Sequence, residues 1–104
     1  MSTKNKKSDA VKYLVKISGY PLTIGRLMRS IRLGEEATLK KFSEMLEVSA
    51  QHLNDIENDR RVVSPERAAK FAKILKYSVA QFVELAVQNI LNQSGLEELR
   101  VQIS

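Results

Sequence analysis

The sequence predicts an all-α domain of five short helices, and three observations carry that prediction. Apolar residues recur at helical spacing in five stretches between residues 22 and 92. Ser49, Ser64 and Ser78 each stand directly before such a stretch, where a hydroxyl caps a helix start. A chain of 104 residues supports one domain with a modest core, and no apolar run approaches the length of about 18 needed to span a membrane.

The elements follow in order. Residues 1–9 are polar and lysine-rich and read as a disordered basic tail, leaving 10–104 as a single domain with its core at 22–92. In AVKYLVKIS, residues Val11, Tyr13, Val15 and Ile17 alternate as in a strand, yet the length also suits a short helix stopped by Gly19; both readings stand. After an extended entry at Tyr20-Pro21, the stripe Ile24, Leu27, Met28 and Ile31 predicts a first helix ending near Gly34. Leu39, Phe42, Ser43 and Leu46 define a second helix, Val48 a turn, and Leu53 with Ile56 the inner edge of a third. Asn58-Asp59 is a plausible left-handed stop, because Asn and Asp tolerate that conformation better than most residues with a side chain.

Ser64-Pro65-Glu66 opens a fourth helix with a cap, a proline at the first position and an acid facing the dipole. It runs to about Lys76 and buries Ala68, Phe71, Ala72 and Leu75. Ser78 and Gln81 form a capping box for the fifth helix, whose apolar set (Val79, Phe82, Val83, Leu85, Ala86, Val87, Ile90, Leu91) exceeds one buried stripe. Either a second face is covered by another subunit or protein, or this helix is central in the bundle. Past Gly95, the alternation of Leu99, Val101 and Ile103 predicts a strand-like end that needs a partner, since one strand alone is unstable. Met28, Phe42 and Met45 read as core fillers.

Net charge is +5 at pH 7, which suits a polyanionic partner, but its distribution is uneven. Residues 26–61 hold seven basic and seven acidic side chains, whereas residues 1–25 hold five lysines against Asp9. Arg26, Arg29 and Arg32 share the outer side of the first helix and default to solvent, with Arg29 or Arg32 available to a nucleic-acid backbone. One histidine and no cysteine leave little for a nucleophile, a general base or a metal site, so no catalytic residue, cofactor or metal is assigned. The absence of cysteine and of an apolar leader in MSTKNKKSD points to the cytoplasm.

Residues 38–61, TLKKFSEMLEVSAQHLNDIENDRR, thus describe two short helices joined by a tight turn, the outline of a helix-turn-helix. With the following SPERAAKFAKIL, residues 22–92 resemble the lambda-repressor/Cro-like (XRE) helix-turn-helix proteins, including antitoxins of the HigA type. The resemblance implies a five-helix lambda-repressor-like fold whose third helix enters a major groove, which is wide enough to admit one helix. Carried over by position, Ala50, Gln51, His52, Asn54 and Asp55 face the bases, Ser49 caps that helix, Thr38 contacts a phosphate, and Arg60 and Arg61 approach the backbone. Glu57 matches the acid usual at the end of the third helix. The chain departs from the pattern with Leu39 where glutamine is usual, Glu47 at the turn position usually held by glycine, and Ala50 as the first outward residue. The implied function is a sequence-specific repressor, acting on double-stranded DNA as a homodimer at a palindromic operator. The alternative is an antitoxin that binds a small ribonuclease toxin and represses its own operon.

Overall fold

A computed structural model of the chain describes residues 22–103. The readings made for residues 1–9, for the alternation over 11–17 and for the entry at Tyr20-Pro21 lie outside these residues. Five helices follow one another: α1 (Ile24–Gly34), α2 (Leu39–Leu46), α3 (Ala50–Glu57), α4 (Pro65–Leu75) and α5 (Val79–Gln93). The all-α expectation holds, and no strand occurs among the described residues.

All five helices begin and end in the same way. Thr23, Thr38, Ser49, Ser64 and Ser78 are the N-caps, and each hydroxyl accepts from the backbone N–H three residues on. At the other end, the left-handed residues are Glu36, Glu47, Asp59, Lys76 and Gly95. In each case the amide of the left-handed residue bonds back three residues and the next amide bonds back five, as in Glu47 N to Glu44 O (3.2 Å) and Val48 N to Ser43 O (3.0 Å). This is the Schellman arrangement, and it satisfies carbonyls that the helix end would otherwise orphan. Only one of the five left-handed positions is glycine. Gly34 does not end α1 by its own conformation: it is the last helical residue, and Glu36 makes the turn.

The core is made of the predicted stripes. Leu27, Met28, Phe42, Leu46, Leu53, Ile56, Phe71, Ala72 and Phe82 are buried together, and Val63 from the α3–α4 loop joins them. Met45 departs from expectation at 44% exposure. The inward direction of α2 is set by Phe42, Ser43 and Leu46, and Met45 flanks that stripe on its solvent side. In α5 only Phe82 and Ala86 are fully buried, while Val83, Leu85, Val87, Ile90 and Leu91 are half-buried.

α1 approaches α3 closely enough that a Cβ on Gly25 would run into the Ile56 carbonyl oxygen. Three polar ties accompany that contact. The Ile24 N–H donates to Asn89 Oδ1 of α5 (2.9 Å), and Thr23 Oγ1 donates to Asp59 Oδ1 (2.7 Å). Deeper in, Arg32 reaches Glu57 with Nε to Oε2 at 2.8 Å and Nη2 to Oε1 at 3.0 Å, while its Nη1 donates to the Ala37 carbonyl (3.0 Å). The two side chains are 13% and 2% exposed. Arg32 is therefore not on the solvent face assigned to it by the periodicity of α1. A charge at the edge of the stripe turned inward because a carboxylate waits there.

The strand expected over residues 98–103 is not formed; the segment is irregular. Its partner is a side chain instead of a second strand. The Gln88 amide donates from Nε2 to the Leu99 carbonyl (2.7 Å) and accepts at Oε1 from the Val101 N–H (2.9 Å). One primary amide presents the same donor and acceptor pair as a peptide group, so it ties down the segment without a ladder.

Removing one partner of a buried ion pair strands the other's charge, so Glu57→Ala is expected to cost about 3–5 kcal/mol of unfolding free energy. Urea denaturation of the variant against the parent chain measures this, and a change under about 1 kcal/mol contradicts the role given to the pair.

Candidate nucleic-acid interface

The turn between α2 and α3 rests on Glu47, at φ 63° and ψ 38°. A residue with a Cβ is disfavoured there by about 1–2 kcal/mol, which is why glycine is the common choice. The Glu47 carboxylate accepts from Lys70 Nζ of α4 (3.2 Å), an exposed pair that offsets only part of that cost. Val48, next along, packs against the core and closes the turn from inside.

Beyond the turn, α3 presents its predicted outer residues unequally. Ala50 and Gln51 are exposed at its N-terminal end, just past the Ser49 cap. Gln51 Nε2 donates to Asp55 Oδ1 one turn further on (3.1 Å). The same oxygen accepts from Arg60 Nε (3.2 Å) and Nη2 (3.0 Å). Asp55 thus joins a glutamine and an arginine, and its charge is countered within the chain. With one amide hydrogen held by Asp55, the Gln51 amide keeps its second N–H and its carbonyl oxygen for a partner.

Asn54 is half-buried, and both its backbone carbonyl (2.8 Å) and its Oδ1 (3.1 Å) accept from Asn58 Nδ2. Its acceptor is engaged at the helix end, away from the exposed tip. Thr38 accepts from the Lys41 N–H (3.1 Å) as the cap of α2 and retains a hydroxyl hydrogen to give. Arg61 is exposed in the α3–α4 loop.

His52 is half-buried and turned toward α4. Arg67 Nη1 stands 3.0 Å from its Nε2 and 3.3 Å from its Nδ1. A nitrogen so nearly equidistant from both ring nitrogens lies over the imidazole face, not on the lone pair of either. Burial lowers the His52 pKa below its usual value, the Arg61 and Arg67 cations lower it further, and Asp55 opposes them. Arg67 did not emerge from the sequence pattern. It is fifteen residues from His52, and no spacing rule ties the first turn of α4 to the outer side of α3.

Residues 28–82, from the middle of α1 to the start of α5, match the helix-turn-helix family model HTH_3. The chain belongs to that family. Its fold is lambda-repressor-like, and by family it is of a DNA-binding regulator type. The chain is similar to the clp gene regulator ClgR from Corynebacterium glutamicum in its crystal structure: identity is 31%, the match covers 75% of this chain and 86% of that one, and the TM-score is 0.53. No curated protein sequence matches it. Among the described residues, no group of three or more metal-ligating side chains occurs, and no helix is long and apolar enough to cross a membrane.

Two expectations follow from this geometry. Glu47→Gly is expected to raise stability by about 0.5–1 kcal/mol, because glycine removes the left-handed penalty at the loss of one exposed ion pair; chemical denaturation decides, and a net loss contradicts the strain. The second concerns pH. A histidine whose folded pKa is lowered binds its proton more readily when unfolded, so its contribution is complete above its ordinary pKa of about 6.5 and declines as pH falls below that. The melting temperature of His52→Gln minus that of the parent chain should therefore increase between pH 7.5 and pH 5.5, while carboxylate titrations common to both cancel.

Proposed function

We propose that this chain is a sequence-specific transcriptional regulator that represses as a homodimer, placing α3 in the major groove of a two-fold operator. The observation that carries the reading is the tip of α3. Gln51 is exposed there and held by Asp55 in an orientation that leaves one N–H and the carbonyl oxygen outward. That pair is the complement of the N7 acceptor and N6 donor on an adenine edge. Ala50 beside it is small enough for the helix to lie close and can meet a thymine methyl. Thr38, Ser49, Arg60 and Arg61 are exposed and available to the DNA backbone, with Arg60 held in place by Asp55, while Asn54 is turned to Asn58 at the helix end. Asp55 thus acts as a positioning residue and not as a repulsive one.

Two-fold binding requires a dimer that sets the two recognition helices about 34 Å apart. The apolar surface left on α5 and beyond it, with Val79, Leu96 and Leu99 exposed, supports such an association. The antitoxin reading draws on the same apolar surface. A strand-like C-terminal end free to complete a toxin's sheet would also favour it, but Gln88 already ties down residues 99–101. The regulator reading is therefore preferred.

Selection of bound duplexes from a random library at near-physiological salt tests the proposal. The expected result is an enriched two-fold sequence, and failure to enrich any sequence overturns it. Within the enriched site, Gln51→Ala should lose about 1–3 kcal/mol of discrimination at one base pair per half-site, most simply an A·T pair.

A further inference from the structure

His52 and Arg67 stand apart from the base-reading tip, and their geometry suggests a different partner. Position 52 lies on the flank of α3 that faces α4, half-buried, with the Arg67 guanidinium over its ring. Arg67 is exposed and forms no ion pair with any acid among the described residues. Arg61 is likewise exposed, forms no ion pair there, and lies close enough for its charge to act on the same imidazole. Three other arginines of the region are neutralised, Arg32 by Glu57, Arg60 by Asp55 and Arg26 by Asp59, and Arg29 of α1 forms no ion pair among the described residues. At the junction of α3 and α4, the Arg67 guanidinium lies against a polar ring, Arg61 adds an exposed cation from the preceding loop, and the carboxylate of Asp55 is held by Arg60. Such a cluster is self-repulsive in the free protein and is relieved by an anion.

We propose that Arg67, Arg61 and His52 form a seat for a DNA backbone phosphate, making Arg67 a DNA-contacting residue and His52 a phosphate ligand and not a base reader. This rests on the DNA-binding reading above. The guanidinium already lies against the imidazole, so one phosphate oxygen set is within reach of both, and little side-chain freedom is lost on binding. Phosphate contacts supply affinity and register without sequence preference, whereas the Gln51 tip supplies preference. The groups facing His52 are Arg67 from α4, Arg61 from the loop and Asp55 from its own helix. With a phosphate added, the balance of charge around the ring turns in favour of its protonated form.

The test uses the full chain with two duplexes of equal length, one carrying the enriched site and one scrambled, titrated by fluorescence anisotropy between about 50 and 200 mM salt. Arg67→Ala should weaken both duplexes by a similar factor and reduce the slope of log affinity against log salt by about one per subunit. Arg67→Lys, which keeps the charge, should retain most of the slope, and His52→Ala should leave the ranking of bases at every position unchanged. Because Arg67 is exposed, circular dichroism of each variant should match the parent. Three outcomes overturn the proposal: an unchanged salt slope for Arg67→Ala, a loss confined to the enriched duplex, or a changed base preference in His52→Ala. Parent chain that binds neither duplex overturns the DNA reading itself and this proposal with it, a result distinct from the three above.

Discussion

The ion pair between Arg32 and Glu57 is the constraint on which the position of α3 depends. An eight-residue helix is too short to persist alone in water, and α3 buries only Leu53, Ile56 and Glu57. Two apolar side chains allow a helix to rock or rotate about their contact, because hydrophobic burial has no direction. A bidentate pair does have direction: it fixes both the angle and the register of the end of α3 against α1. The same guanidinium closes the turn between α1 and α2 through the Ala37 carbonyl, so one side chain holds three segments. Its hydrogen bonds to Glu57 raise the Arg32 pKa above the usual value against the opposing effect of burial, which keeps the guanidinium charged. The close approach at Gly25 adds a second fixed point at the beginning of α1.

Around this fixed centre, helix ends do most of the remaining specification. Five hydroxyl caps and five Schellman ends define where each helix starts and stops, and at three of the five ends the residue after the left-handed position, Ala37, Val48 or Tyr77, packs inward. Tyr77 then stacks at a tilt on Phe82, with ring centroids 5.9 Å apart, and so ties the end of α4 to the start of α5. Four of the left-handed positions carry side chains that are strained there. The hydrogen bonds of the motif offset that strain, together with the core contacts of Ala37, Val48 and Tyr77 at three positions and, at Asp59, the bonds of its carboxylate to Thr23 and Arg26.

Local physics was legible in the sequence, and long-range pairing was not. Stripes such as Phe42, Ser43 and Leu46, and caps such as Ser49, Ser64 and Ser78, depend on neighbours within one or two turns, and the structure has them where periodicity put them. Glu47 was recognisable as a left-handed position through the family resemblance. The inward turn of Arg32 was hidden because its partner lies 25 residues away, and the contact of Arg67 with His52 was hidden for the same reason. The strand expected near the C-terminus failed differently. Alternation predicts extended backbone in a sheet, but here the segment is irregular and Gln88 satisfies its Leu99 carbonyl and Val101 N–H from a helix side chain, which periodicity cannot foresee.

The neutral charge count of residues 26–61 has a related resolution. Of its seven acids, four are engaged: Glu57 is buried against Arg32, Asp55 is held by Arg60, Asp59 by Thr23 and Arg26, and Glu47 by Lys70 of α4, while Glu35, Glu36 and Glu44 are exposed and form no ion pair among the described residues. The four engaged carboxylates act as internal struts: they set the positions of helix ends and of Gln51 and Arg60, and their fields are largely cancelled nearby. Arg29, Lys40, Lys41 and Arg61 form no ion pair among the described residues, and Arg67 adds a fifth such cation at the start of α4. A polyanion responds to charges left unpaired at the surface and not to the sum over a segment. Within α3 and the turns at its two ends, every acid (Glu47, Asp55, Glu57, Asp59) is engaged in holding the scaffold together, so a formally neutral helix-turn-helix carries its unpaired acids (Glu35, Glu36, Glu44) on α2 and on the turn that precedes it.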